Sequence, residues 1–316
     1  MADPLMERTE FTYEGVDGQT VAAYSWASTG SPKAVVQITH GAAEHAARYG
    51  RVADRLVAAG YAVYAQDHRA HGRTATEYGR FGVARPGGWD AIIDDTHRLT
   101  EHIMAERPGV PIVLFGHSMG SMIAQAYLQR WGGDLTALVL SGTTGGRARN
   151  DAALERIRSL SQGDGADEPS EVFAGMFAAF NQPFADAEST GFEWLSRDTA
   201  EVKKYVDDPW CGFPLSNGYV ADMLAGTAAM WEPEAESAIR RDLPILVMGG
   251  DKDPVGGENV QMVHDLVERY EALGAGPITV QLYPSGRHEM LNEVNRDEVE
   301  VNLVAWIESV VGPASH

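Results

Sequence analysis

The most specific chemical signature in the chain is Gly116-His117-Ser118-Met119-Gly120, a serine with a glycine two residues to either side. A serine hydroxyl is a weak nucleophile. To attack an acyl carbonyl it must stand clear of its own backbone and be served by a base that a carboxylate orients. A G-x-S-x-G between a buried strand and a helix meets the first need, because small residues let a strained turn pass close to neighbouring chain. The helix start behind the serine also favours negative charge there. For the base, His288 in Pro284-Ser285-Gly286-Arg287-His288-Glu289 follows a late strand and a Gly-containing turn, whereas His264 falls mid-helix. The orienting acid lies in Gly249-Gly250-Asp251-Lys252-Asp253-Pro254-Val255, where Asp251 and Asp253 compete. Asp253 stands further out and precedes Pro254, whose missing N–H should keep the loop open rather than helical; this favours Asp253, with Asp251 as a loop or capping residue. Two backbone N–H groups should receive the oxyanion: that of Met119, next after the serine, and that of Ala42 in His40-Gly41-Ala42-Ala43. The chemistry on offer is acyl transfer through a serine, requiring no metal and no organic cofactor.

These groups need a scaffold, and the hydropathy pattern supplies one. Gln19–Ala27 reads as an antiparallel edge strand, and Ala34–Thr39, Tyr61–Gln66, Pro111–Phe115 and Leu135–Leu140 as buried strands. Helical periods cover Arg51–Ala59, Trp89–Arg107 and Ser121–Trp131. The alternation resumes with strand Pro244–Met248, helix Asn259–Leu273, strand Ile278–Tyr283 and helix Arg296–Val310. The expected class is α/β, a mostly parallel sheet with helices on both faces. Between residues 144 and 233 no convincing strand is found. That stretch holds eleven of the 27 aromatic residues, and spacings such as Val172/Met176/Ala179/Phe180 predict helices with one apolar face. We expect a core domain of residues 1–143 and 234–316, carrying a helical lid of residues 144–233.

Composition narrows the function. With 25 basic and 45 acidic residues the net charge is −20, which argues against nucleic-acid binding and against stable docking on an anionic membrane. One cysteine, Cys211, is expected to exclude an internal disulfide framework and any Cys-based zinc site. Met1–Arg8 has no apolar signal core, and no run approaches a membrane span. The expected location is the cytoplasm. Asp67-His68-Arg69 with His71 could suggest metal ligands, but without a clustered second carboxylate it reads as a buried hydrogen-bonded turn.

HGAAEHAARY (His40–Tyr49), DHRAHGRT (Asp67–Thr74), GHSMGS (Gly116–Ser121), GGDKDPVGG (Gly249–Gly257) and YPSGRHEMLNE (Tyr283–Glu293) together resemble the monoacylglycerol lipase and lysophospholipase branch of the α/β-hydrolase fold, the serine aminopeptidase S33-like group. The resemblance implies Ser118, Asp253 and His288 as the triad and Ala42 and Met119 as oxyanion donors. It also implies that Glu44 and Arg48 lie on the side of the leaving alcohol. Ser121 stands where many members carry a second glycine, and could narrow the acyl approach. Glu289 and Glu293, flanking the base, are expected to cap the helix near Asn295 or to steer polar groups.

The expected function is hydrolysis of a monoacylglycerol or other small carboxylic ester through an acyl-enzyme. Phe173, Phe177, Trp194, Phe213 and Met223 are candidates for an acyl slot under the lid. The same triad is compatible with a lysophospholipase, an amidase or peptidase, C–C cleavage or perhydrolysis. A non-catalytic small-ligand receptor would keep the fold without turnover. The expected partner is a small-molecule ester, and the oligomeric state is left open.

Overall fold

The structure is a computed structural model describing residues 8–27, 30–85, 87–145 and 151–312, so the Met1–Glu7 part of the N-terminal reading lies outside it. Eight strands form one sheet: β1 (Arg8–Glu14), β2 (Thr20–Trp26), β3 (Val35–Thr39), β4 (Ala62–Gln66), β5 (Ile112–His117), β6 (Ala137–Ser141), β7 (Ile245–Gly250) and β8 (Ile278–Tyr283). Their order is β1-β2-β4-β3-β5-β6-β7-β8. β2 runs antiparallel to both β1 and β4, and all other pairings are parallel. This is the α/β-hydrolase architecture.

The parallel strands are apolar almost throughout because helices cover both faces. Alternate residues serve opposite layers. Val35, Leu114, Leu138 and Val247 join Ile92, Leu99, Ile123 and Tyr127 on one face. Val36, Val113, Val139 and Leu246 join Val52, Leu56, Leu303 and Ile307 on the other. The first layer carries α3 (Gly88–Glu106) and α4 (Met119–Trp131), and the second carries α1 (Gly50–Ala58). A short α2 (Gly72–Tyr78) follows β4. Between β6 and β7 lie α5 (Asp151–Leu160), α6 (Glu171–Asn181), α7 (Thr199–Asp207), α8 (Asn217–Ala229) and α9 (Pro233–Ser237), with no strand among the described residues. The chain ends through α10 (Gln261–Ala272), against the first layer, and α11 (Arg296–Val311), against the second.

Two expectations are corrected. The strand expected at the edge, Gln19–Ala27, is the second strand; the edge is β1, whose RTEFTYE is largely exposed. Its charged alternation lacks the apolar run of a buried strand, so period alone does not expose it. The parallel strands also run further toward their C-terminal ends than the apolar pattern implies: β5 includes His117, paired with Ser141, and β7 includes Gly250, paired with Tyr283. Ladder pairing there overrides low strand propensity. Those overlooked strand ends are where the chemistry gathers.

Candidate active site

The turn after β5 holds Ser118 at φ 53°, ψ −122°, and Ser118 is itself the residue that opens α4. A positive φ at a non-glycine residue is strained and persists only where surroundings enforce it. Here the Ser118 N–H donates to Ser141 O (2.9 Å), while the Ser118 carbonyl accepts from the Ser121 hydroxyl (2.6 Å). A side chain at Gly116 would strike the backbone of Gly120 and Ser121, and one at Gly120 would strike Thr39 O. The two flanking glycines are therefore steric necessities. Ser121 does not narrow the acyl side: it is fully buried, and its hydroxyl also reaches Thr143 Oγ1 at 2.8 Å.

Beyond β7, both carboxylate oxygens of Asp253 lie 2.9–3.0 Å from His288 Nδ1. Pro254 does not hold this loop open. It begins a short helical turn, Pro254–Gly256, capped by Asp253 through Val255 N–H. Asp251 turns away, accepting from Ser285 N–H (2.7 Å) and so tying the acid loop to the histidine loop. The His288 ring is fully buried and packs between His117 and Trp194, with centroids 4.7 and 4.8 Å away. Burial alone would lower its pKa, but the charge and hydrogen bond of Asp253, with Glu289 and Glu44 behind, raise it above the ordinary histidine value. Donation from Nδ1 to Asp253 leaves Nε2 as the basic nitrogen.

Ser118 follows β5, and the His288 ring lies at the end of the neighbouring β6. Gly142, at φ 54°, follows β6, and a Cβ there would lie 2.9 Å from the Cε1 atoms of both His117 and His288. Among the hydrogen bonds of the described residues there is none from Ser118 Oγ to His288. Such contacts commonly tighten only in the substrate complex.

Ser118 opens, with Ala42 and Met119, onto a cavity of about 630 Å3. Its walls are largely apolar, drawn from α4 (Met122), α6 (Val172, Phe173, Met176, Phe177) and α8 (Met223, Leu224), with Trp194 and Val255. Among the described residues, neither the Ala42 nor the Met119 N–H donates to a protein acceptor. Phe173, Phe177, Trp194 and Met223 thus fall on the cavity wall. Phe213 does not; it packs on His71 and Phe81.

Glu44 and Arg48 do not line this cavity but a separate small one of about 20 Å3, shared with Tyr49, His117, Glu289 and Asn292. Glu44 accepts from Gly41 N–H (2.5 Å) and Tyr49 Oη (2.9 Å) and pairs with Arg48. Arg48 forks onto both oxygens of Glu289 at 2.8 Å. Burial opposes the Glu289 charge, but Arg48 overcomes it and holds the carboxyl down at about 2. The Glu289 carboxylate is therefore committed to Arg48 and Asn292 rather than to the start of α11, and Glu293 is spent on Arg197 and on Arg287 N–H.

Two groups bear on metals. Asp67 is buried and accepts from Tyr24 Oη, Ala46 N–H and Arg73 N–H, the hydrogen-bonded turn expected. The structure does bring one donor each from His45, Asp208 and Cys211 within 4.8 Å of one another, a mixed set that a count of cysteines does not reveal. His45 Nε2 is already bonded to Asp208 (2.9 Å), and burial pushes the Cys211 thiol far up, away from the thiolate a soft metal needs.

The chain is similar along most of its length to known lipases and esterases. A monoacylglycerol lipase of Mycolicibacterium smegmatis is 31% identical over 96% of this chain and 98% of its own. A monoglyceride lipase of Mus musculus is 36% identical over 88% of this chain and 86% of its own. The crystal structure of a thermostable carboxyl esterase from Bacillus coagulans superposes with a TM-score of 0.86 at 27% identity, covering 97% of this chain and all of that one. Residues 30–295 match the serine aminopeptidase, S33 family, and the chain belongs to that family of α/β-hydrolases.

Proposed function

We propose that this carboxylic ester hydrolase cleaves monoacylglycerols or similar small monoacyl esters through an acyl-enzyme on Ser118. His288 takes the Ser118 proton at Nε2 as the hydroxyl attacks the acyl carbonyl, while Asp253 holds the imidazole tautomer. The N–H groups of Ala42 and Met119 receive the oxyanion. His288 then protonates the departing alcohol, and water attacks the acyl-enzyme with His288 again as base. The observations that carry this reading are the buried Asp253–His288 pair and a strained serine that lines a 630 Å3 apolar cavity. That volume lies within the roughly 300–1,000 Å3 typical of small-molecule sites. Family relatives named as monoacylglycerol lipases and a carboxyl esterase support the ester class.

In this reading residues 144–233 form the lid over the core of residues 1–143 and 234–316, and the acyl chain lies along Phe173, Phe177, Trp194 and Met223. The alcohol lies toward Glu44 and Arg48. No described helix is long and apolar enough to cross a membrane, and a net charge of −20 favours monomeric or zwitterionic lipid over an anionic bilayer. We place the enzyme in the cytosol, because its one cysteine is free and the fold asks for no oxidising compartment. The deciding experiment is Ser118→Ala assayed on 1-monoacylglycerol and p-nitrophenyl butyrate. Hydrolysis should vanish while the circular dichroism spectrum is retained; persistent turnover would move the nucleophile elsewhere.

A further inference from the structure

We propose that His71 and Tyr205 are positioning residues that hold the loop presenting the Ala42 N–H, so that part of the chain between β6 and β7 is built into the oxyanion machinery. The proposal rests on Ala42 being an oxyanion donor. The direction of that N–H depends on the peptide units either side of it, and the next residue, Ala43, stands at φ 52°. An L-residue with a methyl side chain rarely stays in the left-handed region unless its surroundings insist.

The surroundings are three hydrogen bonds on one buried residue. The Ala43 N–H donates to His71 Nε2 at 3.1 Å. The Ala43 carbonyl accepts from Tyr205 Oη at 2.8 Å and from Gly212 N–H at 2.9 Å. One residue earlier than Ala42, the Gly41 N–H is held by Glu44. Ala42 is thus the free link of a loop pinned on both sides.

Each anchor is itself immobilised. His71 Nδ1 lies 2.9 Å from Arg69 O, which can only accept, so Nδ1 carries the proton and Nε2 offers the lone pair that Ala43 needs. Burial lowers the His71 pKa to about 4, which keeps the ring neutral. Its ring meets Phe213 and Tyr219 in edge-on contacts, with centroids 5.1 and 5.6 Å away. Tyr205 is buried between Phe192, 5.0 Å centroid to centroid, and the Arg48 guanidinium, 4.9 Å from its ring. Neither His71 nor Tyr205 lines the apolar cavity, so neither is placed to act through the acyl chain. A third tie, His45 Nε2 to Asp208 Oδ2 at 2.9 Å, fastens the same two segments together.

The test uses Tyr205→Phe, which removes one hydroxyl and keeps the ring, His71→Leu, which removes the acceptor, and His71→Gln, which restores one. Misplacing a catalytic dipole by an ångström can cost about a hundredfold. We expect kcat on p-nitrophenyl butyrate to fall about ten- to hundredfold in Tyr205→Phe and His71→Leu, with KM changed less than about twofold. His71→Gln should recover part of the loss. Affinity for an alkyl trifluoromethyl ketone, which adds to the serine as a tetrahedral oxyanion, should fall in step with kcat/KM. A merely structural role would lower the melting temperature and leave kcat in place.

Parent-like kcat in folded Tyr205→Phe and His71→Leu overturns the proposal, as does a rise in KM alone. If His71→Leu does not fold, Tyr205→Phe decides. Failure of the underlying nucleophile assignment has a separate sign: Ser118→Ala would still turn over, whatever these variants do.

Discussion

Asp251 and Asp253 sit two residues apart, and their environments give them different work. Asp253 is buried with both oxygens on His288, whereas Asp251 is about two-fifths exposed and engaged with Ser285 N–H. Replacing Asp253 with Asn keeps the shape but loses the charge and the tautomer control, which in serine hydrolases lowers kcat by roughly three to four orders of magnitude. Asp251→Asn should stay within a few-fold of the parent in the same p-nitrophenyl butyrate assay, and the opposite ranking would exchange their roles. The pH profile follows with its sign. The working form of His288 is neutral, so kcat/KM should rise with pH through a midpoint above the ordinary histidine value of 6.5, since Asp253 raises that pKa despite burial. In Asp253→Asn the acid limb should move to lower pH, and an unmoved limb would mean that another group titrates there. The sequence carried Ser118, Asp253 and His288 to this point because each belongs to a short motif beside a strand end. Glu289 and His71 fall in motifs that the sequence marked, but what they hold did not show there, and Tyr205 carried no mark. Their partners are distant in the chain, as in Arg48 to Glu289 or Tyr205 to Ala43, and spacing cannot show that.

At the scale of elements, the site depends on how closely strand ends and helix starts approach. The buried strands and the long helices were legible because burial on both faces leaves unbroken apolar runs and an apolar stripe leaves a 3.6 period. Their C-terminal ends were less so, since His117, Gly249 and Gly250 join the sheet through ladder pairing that their own propensities do not announce. Gly142 shows what this closeness demands. It adopts φ 54° and faces both imidazoles, so a methyl group there meets backbone strain and a steric push on His288 together. Gly142→Ala should cost about 1–3 kcal/mol in denaturant unfolding, the usual range for forcing a methyl into a filled space. Its kcat should fall further than that loss implies for a protein still fully folded at the assay temperature. Gly120→Ala, whose methyl would collide with Thr39 O, should be harsher and threaten folding itself. If Gly142→Ala unfolds at the parental midpoint with parental kcat, the contact at the end of β6 does not constrain the imidazole.

Across the whole molecule, the 630 Å3 cavity is a joint product of core and inserted helices: α4 and the loop after β3 line it from the core, and α6 and α8 supply much of its wall. The sequence showed that aromatic residues concentrate in the insertion, but not which of them face the cavity. Phe213, read as an acyl contact, instead packs on His71 and Phe81, while Met122 and Leu224 were not singled out and line the wall. Leu224 gives the cleanest test because it is half-buried and far in sequence from every triad residue. Each methylene of an acyl chain withdrawn from water contributes about 0.8 kcal/mol, close to fourfold in affinity. A Leu224→Trp side chain that excludes three methylenes should then lower kcat/KM for p-nitrophenyl decanoate by roughly fiftyfold. The acetate ester, which carries no acyl methylene to exclude, should be hydrolysed at the parental rate. Measured across acetate, butyrate, octanoate and decanoate, the loss should switch on at one chain length and then level. A loss shared equally by acetate would mean that the substitution disturbs the serine, and an unchanged decanoate rate would mean that the acyl chain runs elsewhere.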